Sequence, residues 1–147
     1  MKIIQKILII AAFAIVVLDE ILKNLALKNL PGESEISSNN FLELAIHKNN
    51  GIAFDLPVWL PLVAILTTII IAALAAIAIK TRQNQPWIAT SALIIICGAI
   101  GNLFDRLFYG FTVDYLITPA TGSAFNLSDI VIIGGLVLLV LKKHRKV

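Results

Sequence analysis

Residues 56–79 read LPVWLPLVAILTTIIIAALAAIAI and contain no charged side chain. A membrane-spanning helix needs about 20 mainly apolar residues, so this run is long enough to cross a bilayer unaided. Three further uncharged runs occupy residues 7–18, 87–104 and 130–141. Of the 147 residues, 59% are hydrophobic and only 14% are charged, which excludes an ordinary soluble domain. The sequence therefore predicts one integral membrane domain, an all-α bundle of four helices.

The first and last of these runs are short and are bordered by acidic side chains. Asp19 and Glu20 follow the first run, and Asp129 directly precedes the last. A carboxylate at the centre of a bilayer costs about 2.5–3.5 kcal/mol, so an acid kept in or beside a span usually has a partner or a function. We therefore expect these acids at a membrane boundary. The predicted spans of the single domain 1–147 are residues 7–27, 56–79, 87–106 and 127–142.

Clusters of basic residues predict the orientation of the bundle. They lie before the first span, between the second and third, and after the fourth, which is one side of a four-span bundle. Basic residues in short loops favour the cytoplasmic side, so both termini are expected there. Segments 28–55 and 107–126 then face the opposite compartment. We interpret the C-terminal cluster as a lipid-headgroup anchor, and we expect no nucleic-acid partner.

The segment between the first two spans carries a strand pattern. Residues 41–47 read FLELAIH, in which leucine and isoleucine alternate with other side chains, and this period is typical of a β-strand. Asn49-Asn50-Gly51 is a turn signal, and residues 52–54 are expected to form a second strand. The bundle is therefore predicted to carry a small extracytoplasmic β-sheet.

Asp114 and Asp129 are the candidate catalytic residues. Neither has a basic neighbour in sequence, and a predicted loop at 119–123 can return the chain so that the two acids meet. When two carboxylates approach, repulsion makes one ionise readily while the other keeps its proton. The pair could then activate water against a peptide bond, one member acting as base and the other as acid. Which aspartate is the base stays open.

Other polar positions have structural interpretations. Asp19 and Lys23 are spaced to form an ion pair on one helix face, with Lys23 extending outward past the membrane interface. Asp105 and Arg106 are adjacent, so each is expected to pair with another element. Gly98 and Gly101 are expected to let helices pack closely, which leaves Asn102 unexplained, and Asn126 and Ser128 are expected to cap the fourth helix.

The sequence disfavours nucleophilic and metal chemistry. Cys97 lies within a predicted span, whereas His144 is in the C-terminal tail and His47 is on the predicted strand. No cluster of histidine or cysteine has metal-ligand spacing, so we expect neither a metal nor a cofactor. A small proton- or cation-conducting bundle and a structural membrane subunit are the alternatives to an enzyme. The first predicts polar residues through the depth of the spans, and the second leaves the acids without a function.

Five short blocks resemble bacterial lipoprotein signal peptidase, also called signal peptidase II. They are DEILK at 19–23, NNGIAF at 49–54, GAIGNLFDR at 98–106, VDY at 113–115 and FNLSD at 125–129. The resemblance implies a monomeric aspartyl peptidase of the bacterial inner membrane with its site on the extracytoplasmic side. Such an enzyme cuts the signal peptide from prolipoproteins just before a diacylglyceryl-modified cysteine, in contact with membrane lipid.

The resemblance also implies roles for individual positions. Asp114 and Asp129 match the family's catalytic pair, Asp105 matches a structural residue, and residues 31–54 match a cradle for the lipid-modified substrate. Leu22 and Ser128 depart from the family, which usually has Thr or Ser at the first position and Ala at the second. The positions that match substrate-binding or supporting residues are Asp19, Lys23, Asn49, Gly51, Asn102, Arg106 and Asn126.

Overall fold

The computed structural model describes residues 1–32, 41–51 and 59–143, which form four helices and a three-stranded sheet. This confirms the predicted fold class. The second strand that was predicted at residues 52–54 lies outside the described residues. The elements are α1 (Ile3–Asn29), β1 (Glu43–Asn49), α2 (Leu60–Thr81), α3 (Pro86–Phe108), β2 (Thr112–Thr118), β3 (Ser123–Phe125) and α4 (Leu127–Lys143).

Helix α3 is the centre of the bundle and contacts each of the other three helices. In the most apolar 18 residues of α3, 56% are buried, whereas in those of α2 only 11% are buried. Helix α2 is therefore peripheral and has apolar side chains on most of its surface. Such a large exposed apolar surface is stable in lipid but not in water. Both helices are long and apolar enough to cross a membrane. A spanning role for α1 and α4, and the positions of all the membrane boundaries, stay predictions.

Glycine lets α3 and α4 approach closely. A Cβ atom at Gly98 would lie 2.5 Å from the backbone oxygen of Ser128 and 2.7 Å from Cγ1 of Ile132. A Cβ atom at Gly101 would lie 2.5 Å from Oγ of Ser128. A side chain at either position would therefore push the first turns of α4 away from α3.

The sheet has the order β1-β2-β3 with antiparallel neighbours. Leu44 of β1 pairs with Leu116, and His47 pairs with Asp114, so three steps along β1 match two steps along β2. This irregularity is a β-bulge, which keeps both pairs on the same face of the sheet. The parallel bridge between Gly32 and Ile46 ties the chain after α1 to the outer edge of β1.

Strands β2 and β3 were not predicted, and Asp114 belongs to β2, in the segment 107–126 for which the sequence indicated no strand. Val113, Asp114, Tyr115 and Ile117 are all buried, because β2 is covered on both faces and has neighbours on both edges. A strand of this kind shows no sustained alternation of apolar and polar residues. The predicted loop after β2 is present as a turn at residues 119–122, and φ is positive at Gly110 before the strand and at Gly122 after it.

Replacing Gly98 by alanine is expected to destabilise the bundle by about 1–3 kcal/mol, because the added methyl group would overlap the backbone of α4. Thermal unfolding of the purified protein in detergent, followed by circular dichroism, would measure the change. Gly134→Ala is the matched control, since a Cβ atom there meets no described atom within 4 Å and alanine favours the helix. Equal melting temperatures for Gly98→Ala and wild type would contradict the close packing.

Candidate active site

The two candidate catalytic residues are joined by one residue, Asn126. Nδ2 of Asn126 donates to Oδ1 of Asp114 at 2.7 Å, and the Asn126 backbone N–H donates to Oδ2 of Asp129 at 3.2 Å. The Asp129 backbone N–H in turn donates to Oδ1 of Asn126 at 3.0 Å, which closes a reciprocal cap on the first turn of α4. Asn126 therefore holds both carboxylates in one place, and it caps α4 as its sequence position predicted.

Each carboxylate also accepts a hydrogen bond from a second amide. Nδ2 of Asn49, at the end of β1, donates to Oδ2 of Asp114 at 3.1 Å. Nδ2 of Asn102, on α3, donates to Oδ1 of Asp129 at 2.7 Å. Because Asn102 also accepts a bond from Nδ2 of Asn126 at 3.1 Å, the three amides form a connected network around the acids. The packing of α3 glycines did not explain Asn102, and this network does.

The environment of Asp114 favours its protonated form. The residue is buried with 1% of its surface exposed, and it lies close to the negative charge of Asp129. Burial, and to a smaller extent this charge, raise the pKa of Asp114 to about 6, while the amides of Asn49 and Asn126 oppose the rise. The pair can therefore retain a proton close to neutral pH.

Arg106 brings a cationic guanidinium to the acids. It interacts electrostatically with Asp114 and Asp129 from the end of α3. One terminal nitrogen donates to the backbone oxygen of Asn102 at 3.2 Å, and the other donates to that of Gly51 at 3.4 Å. Its buried Nε has no hydrogen-bond partner among the residues that the structure describes. Arg106 thus ties the turn after β1 to α3 and keeps one donor unused.

A second cluster lies next to the pair and is centred on Lys23. Its ammonium group is fully buried and lies 2.8 Å from Oδ2 of Asp105, 3.1 Å from Oδ2 of Asp19 and 3.2 Å from Oε1 of Glu20. The predicted ion pair between Asp19 and Lys23 is present, but Lys23 points into the protein and does not extend outward. Nζ of Lys23 also donates to Oδ1 of Asn102 at 3.4 Å, which connects this cluster to the amide network around Asp114 and Asp129.

The acids around Lys23 connect to the elements that carry the pair. Asp105 accepts a hydrogen bond from the Val113 backbone N–H at 3.1 Å, directly before Asp114 in β2. Asp19 accepts bonds from the backbone N–H groups of Leu127 and Ser128 at 3.0 and 3.1 Å, at the start of α4. Asp105 therefore pairs with other elements, as expected.

Sequence reasoning missed three contributors to this cluster. Glu20 was noted only as a boundary acid, and Ser128 only as a helix cap, although its Oγ donates to Asp19 at 2.6 Å. The Tyr115 hydroxyl donates to the same carboxylate at 2.8 Å. The position of Tyr115, directly after Asp114, was the one available signal. Cys97 is away from these networks, and no group of histidine, cysteine or acidic residues within the described ranges could hold a metal ion.

An apolar cavity of about 420 Å³ lies between α1 and the sheet. Its volume is within the range of about 300–1,000 Å³ that is usual for small-molecule sites. Tyr115 and Leu116 line it from β2, the strand that carries Asp114. Leu44 of β1 and Leu127 at the start of α4 also line it. From α1 it is lined by Leu22, Leu25, Ala26, Asn29 and the adjoining Leu30.

Comparisons with known proteins agree on one family. The family model described as Signal peptidase (SPase) II matches residues 11–144. The lipoprotein signal peptidase of Thermodesulfovibrio yellowstonii is 34% identical over 142 residues, covering 93% of this chain and 94% of the relative. That of Syntrophomonas wolfei is 38% identical over 133 residues, covering 86% of each chain.

Two solved structures share the fold. Both are described as bacterial membrane enzymes, determined by the in meso method at 2.3 and 1.9 Å resolution, and each gives a TM-score of 0.78. They are 28% and 27% identical in sequence to this chain, of which each covers 97%. The matched share of the solved chains is 92% and 95%, respectively.

Replacing Asn49 by alanine is expected to raise the pKa of Asp114 further above about 6, because the lost amide stabilises the charged carboxylate. Carbon NMR of protein labelled at the aspartate carboxyl groups would show the Asp114 titration moving to higher pH. Asn50→Ala is the control, since the Asn50 amide donates to the backbone oxygen of Lys48 instead. A titration that stays in place, or moves to lower pH, would contradict the described contact.

Proposed function

This chain belongs to the signal peptidase II family, and we propose that it removes the signal peptide from diacylglyceryl-modified prolipoproteins, cutting before the lipid-carrying cysteine. Asp114 and Asp129 are the catalytic pair in this proposal. The observation that carries it is the position of Asn126. Its side-chain amide contacts the carboxylate of Asp114, and its backbone N–H contacts the carboxylate of Asp129. A structural bundle has no need of two buried acids fixed in this way, and a conducting bundle would need polar residues through the depth of its spans, whereas α2 is almost wholly apolar.

The two acids can perform hydrolysis together. The ionised carboxylate takes a proton from water while the water oxygen bonds to the carbonyl carbon of the scissile peptide. The protonated carboxylic acid donates a hydrogen bond to the carbonyl oxygen, on which negative charge develops. A proton then passes to the peptide nitrogen as the carbon–nitrogen bond breaks. The pair titrates as a unit, and the assignment of base and acid to individual residues stays open.

The amides and Arg106 prepare the pair for this reaction. Asn49, Asn102 and Asn126 fix the carboxylate oxygens through hydrogen bonds, so little reorganisation is needed when charge moves. Arg106 donates to the backbone oxygens of Asn102 and Gly51, and its positive charge stabilises the ionised member of the pair. The cluster of Lys23, Asp19 and Asp105 braces these elements from behind.

The placement of the pair suits a substrate that is part lipid and part peptide. We place the pair at the extracytoplasmic boundary of the bacterial inner membrane, with both termini in the cytoplasm. Basic side chains next to α1, α2 and α4 support this orientation, and Lys142 lies 4.7 Å over the Trp87 ring, at the end of the bundle that has the termini. Acyl chains can then remain in lipid while water reaches the acids, and the enzyme acts as a monomer.

Asp114→Asn and Asp129→Asn are each expected to reduce cleavage by at least about 10²–10⁴-fold, because neither amide can act as general acid or base. Cleavage of a lipidated prolipoprotein by purified variants would be measured, with circular dichroism to show that they fold. Glu43→Gln is the control, since it makes the same chemical change on β1 at a position opposite Ile117. Normal processing by either folded aspartate variant would exclude the proposed mechanism.

The purified protein is expected to cut a diacylglyceryl-modified prolipoprotein and to leave its unmodified precursor intact. Each buried methylene of an acyl chain contributes about 0.8 kcal/mol, so the lipid supplies much of the binding free energy. Both substrates would be incubated with wild type and with Asp129→Asn, and products would be identified by mass spectrometry. Equal cutting of the two substrates would contradict the proposed selectivity, and no cutting of either would contradict the proposed function.

A further inference from the structure

We infer that Tyr115 and Ser128 are positioning residues for the reaction, which act through the carboxylate of Asp19 on the first turn of α4. This inference rests on the proposed role of Asp129 and deepens it. Both hydroxyl groups donate to Asp19 and neither touches Asp114 or Asp129 through a described hydrogen bond. Their effect on the catalytic pair is therefore indirect.

Asp19 caps α4 from a different helix. The first N–H groups of an α-helix have no partner within the helix, and a carboxylate there is stabilised by the helix dipole. Oδ1 of Asp19 accepts the N–H of Leu127 at 3.0 Å, and Oδ2 accepts that of Ser128 at 3.1 Å. Asp129 is the next residue in this turn. The position of the Asp19 carboxylate therefore fixes where α4 begins relative to α1.

The Tyr115 hydroxyl connects this cap to the strand that carries the other acid. Tyr115 follows Asp114 in β2, its ring is buried, and its hydroxyl donates to Oδ1 of Asp19 at 2.8 Å. Burial, and then the bond to Asp19, raise the pKa of Tyr115 well above its ordinary value, so the hydroxyl remains a donor at working pH. One side chain thus couples the strand of Asp114 to the cap on the helix of Asp129.

Ser128 makes the matching contact from α4. Its Oγ donates to Oδ2 of Asp19 at 2.6 Å, while its backbone N–H donates to the same oxygen. Gly101 leaves the space for this hydroxyl, since a Cβ atom there would lie 2.5 Å from Oγ of Ser128. Catalytic groups must be held to within about 0.5 Å of their productive geometry, so the loss of either hydroxyl should misplace the pair.

The experiment measures kcat and KM of Tyr115→Phe and Ser128→Ala on a lipidated prolipoprotein, together with the melting temperature of each. Each variant is expected to lower kcat by about threefold to tenfold with KM nearly unchanged, because Asp19 keeps its other donors. The double variant should lose less than the product of the two single effects, since both hydroxyls act on one carboxylate. Tyr109→Phe is the matched control, because its hydroxyl donates to the exposed Asn24 instead, and it should retain the wild-type kcat.

The outcomes separate the inference from the proposed function. If the wild-type protein does not cut the lipidated prolipoprotein, the proposed function is wrong. If wild type cuts and Tyr115→Phe lowers only the melting temperature, or raises only KM, Tyr115 serves packing or binding and the inference is wrong. Ser128→Ala leaves the tyrosine ring in place, so it decides the question if Tyr115→Phe fails to fold. A wild-type kcat for this variant would then overturn the inference.

Discussion

The buried ammonium group of Lys23 is the interaction on which the rest of the site depends. An isolated charge in a bundle of apolar helices is strongly disfavoured, and it is tolerated here because Asp19, Glu20 and Asp105 lie within 3.2 Å of it. Two of these acids then reach further, Asp105 to the start of β2 and Asp19 to the start of α4. The cation on α1 is therefore connected, through these two acids, to the start of both elements that carry the candidate catalytic pair. Removing it would leave the two buried carboxylates of Asp19 and Asp105, and the partly exposed carboxylate of Glu20, without their counterion.

The pair itself is organised by neutral groups rather than by direct ion pairs. Amide donors hold each carboxylate without neutralising it, so the acids keep the mutual repulsion that lets them share a proton. A lysine at the position of Asn126 or Asn102 would instead stabilise two full negative charges. The two cations lie beside the amides, where Lys23 donates to the Asn102 side chain and Arg106 donates to the backbone oxygens of Asn102 and Gly51. Lys23 and Arg106 therefore balance the negative charge of the site, while the amide-bound pair of Asp114 and Asp129 retains the proton.

The sequence predicted the features that depend on local composition. Uncharged runs indicated the helices, the acid beside the last run indicated Asp129, and the lack of a basic neighbour indicated Asp114. The structure brings both acids to Asn126. Strand β2 was missed because its polar and apolar residues alternate only from Thr112 to Tyr115, and the residues on both of its faces are buried. The cap by Asp19 joins residues more than a hundred positions apart in sequence, and no local pattern contains it. The inward direction of Lys23 was missed for the same reason, since its partner Asp105 lies on another helix.

The bulge in β1 determines what the sheet offers to a substrate. Because it places the pairs Leu44–Leu116 and His47–Asp114 on one face, that face changes from aliphatic to ionisable within a single pleat repeat. A regular ladder would turn one member of β1 to the other side and interrupt this sequence of surfaces. Along this face, aliphatic side chains are followed by ionisable ones. This is the order of polarity in an amphiphile that has an apolar chain at one end and a peptide bond at the other. A single extra residue in one strand thus sets the direction in which polarity changes along this face of the sheet.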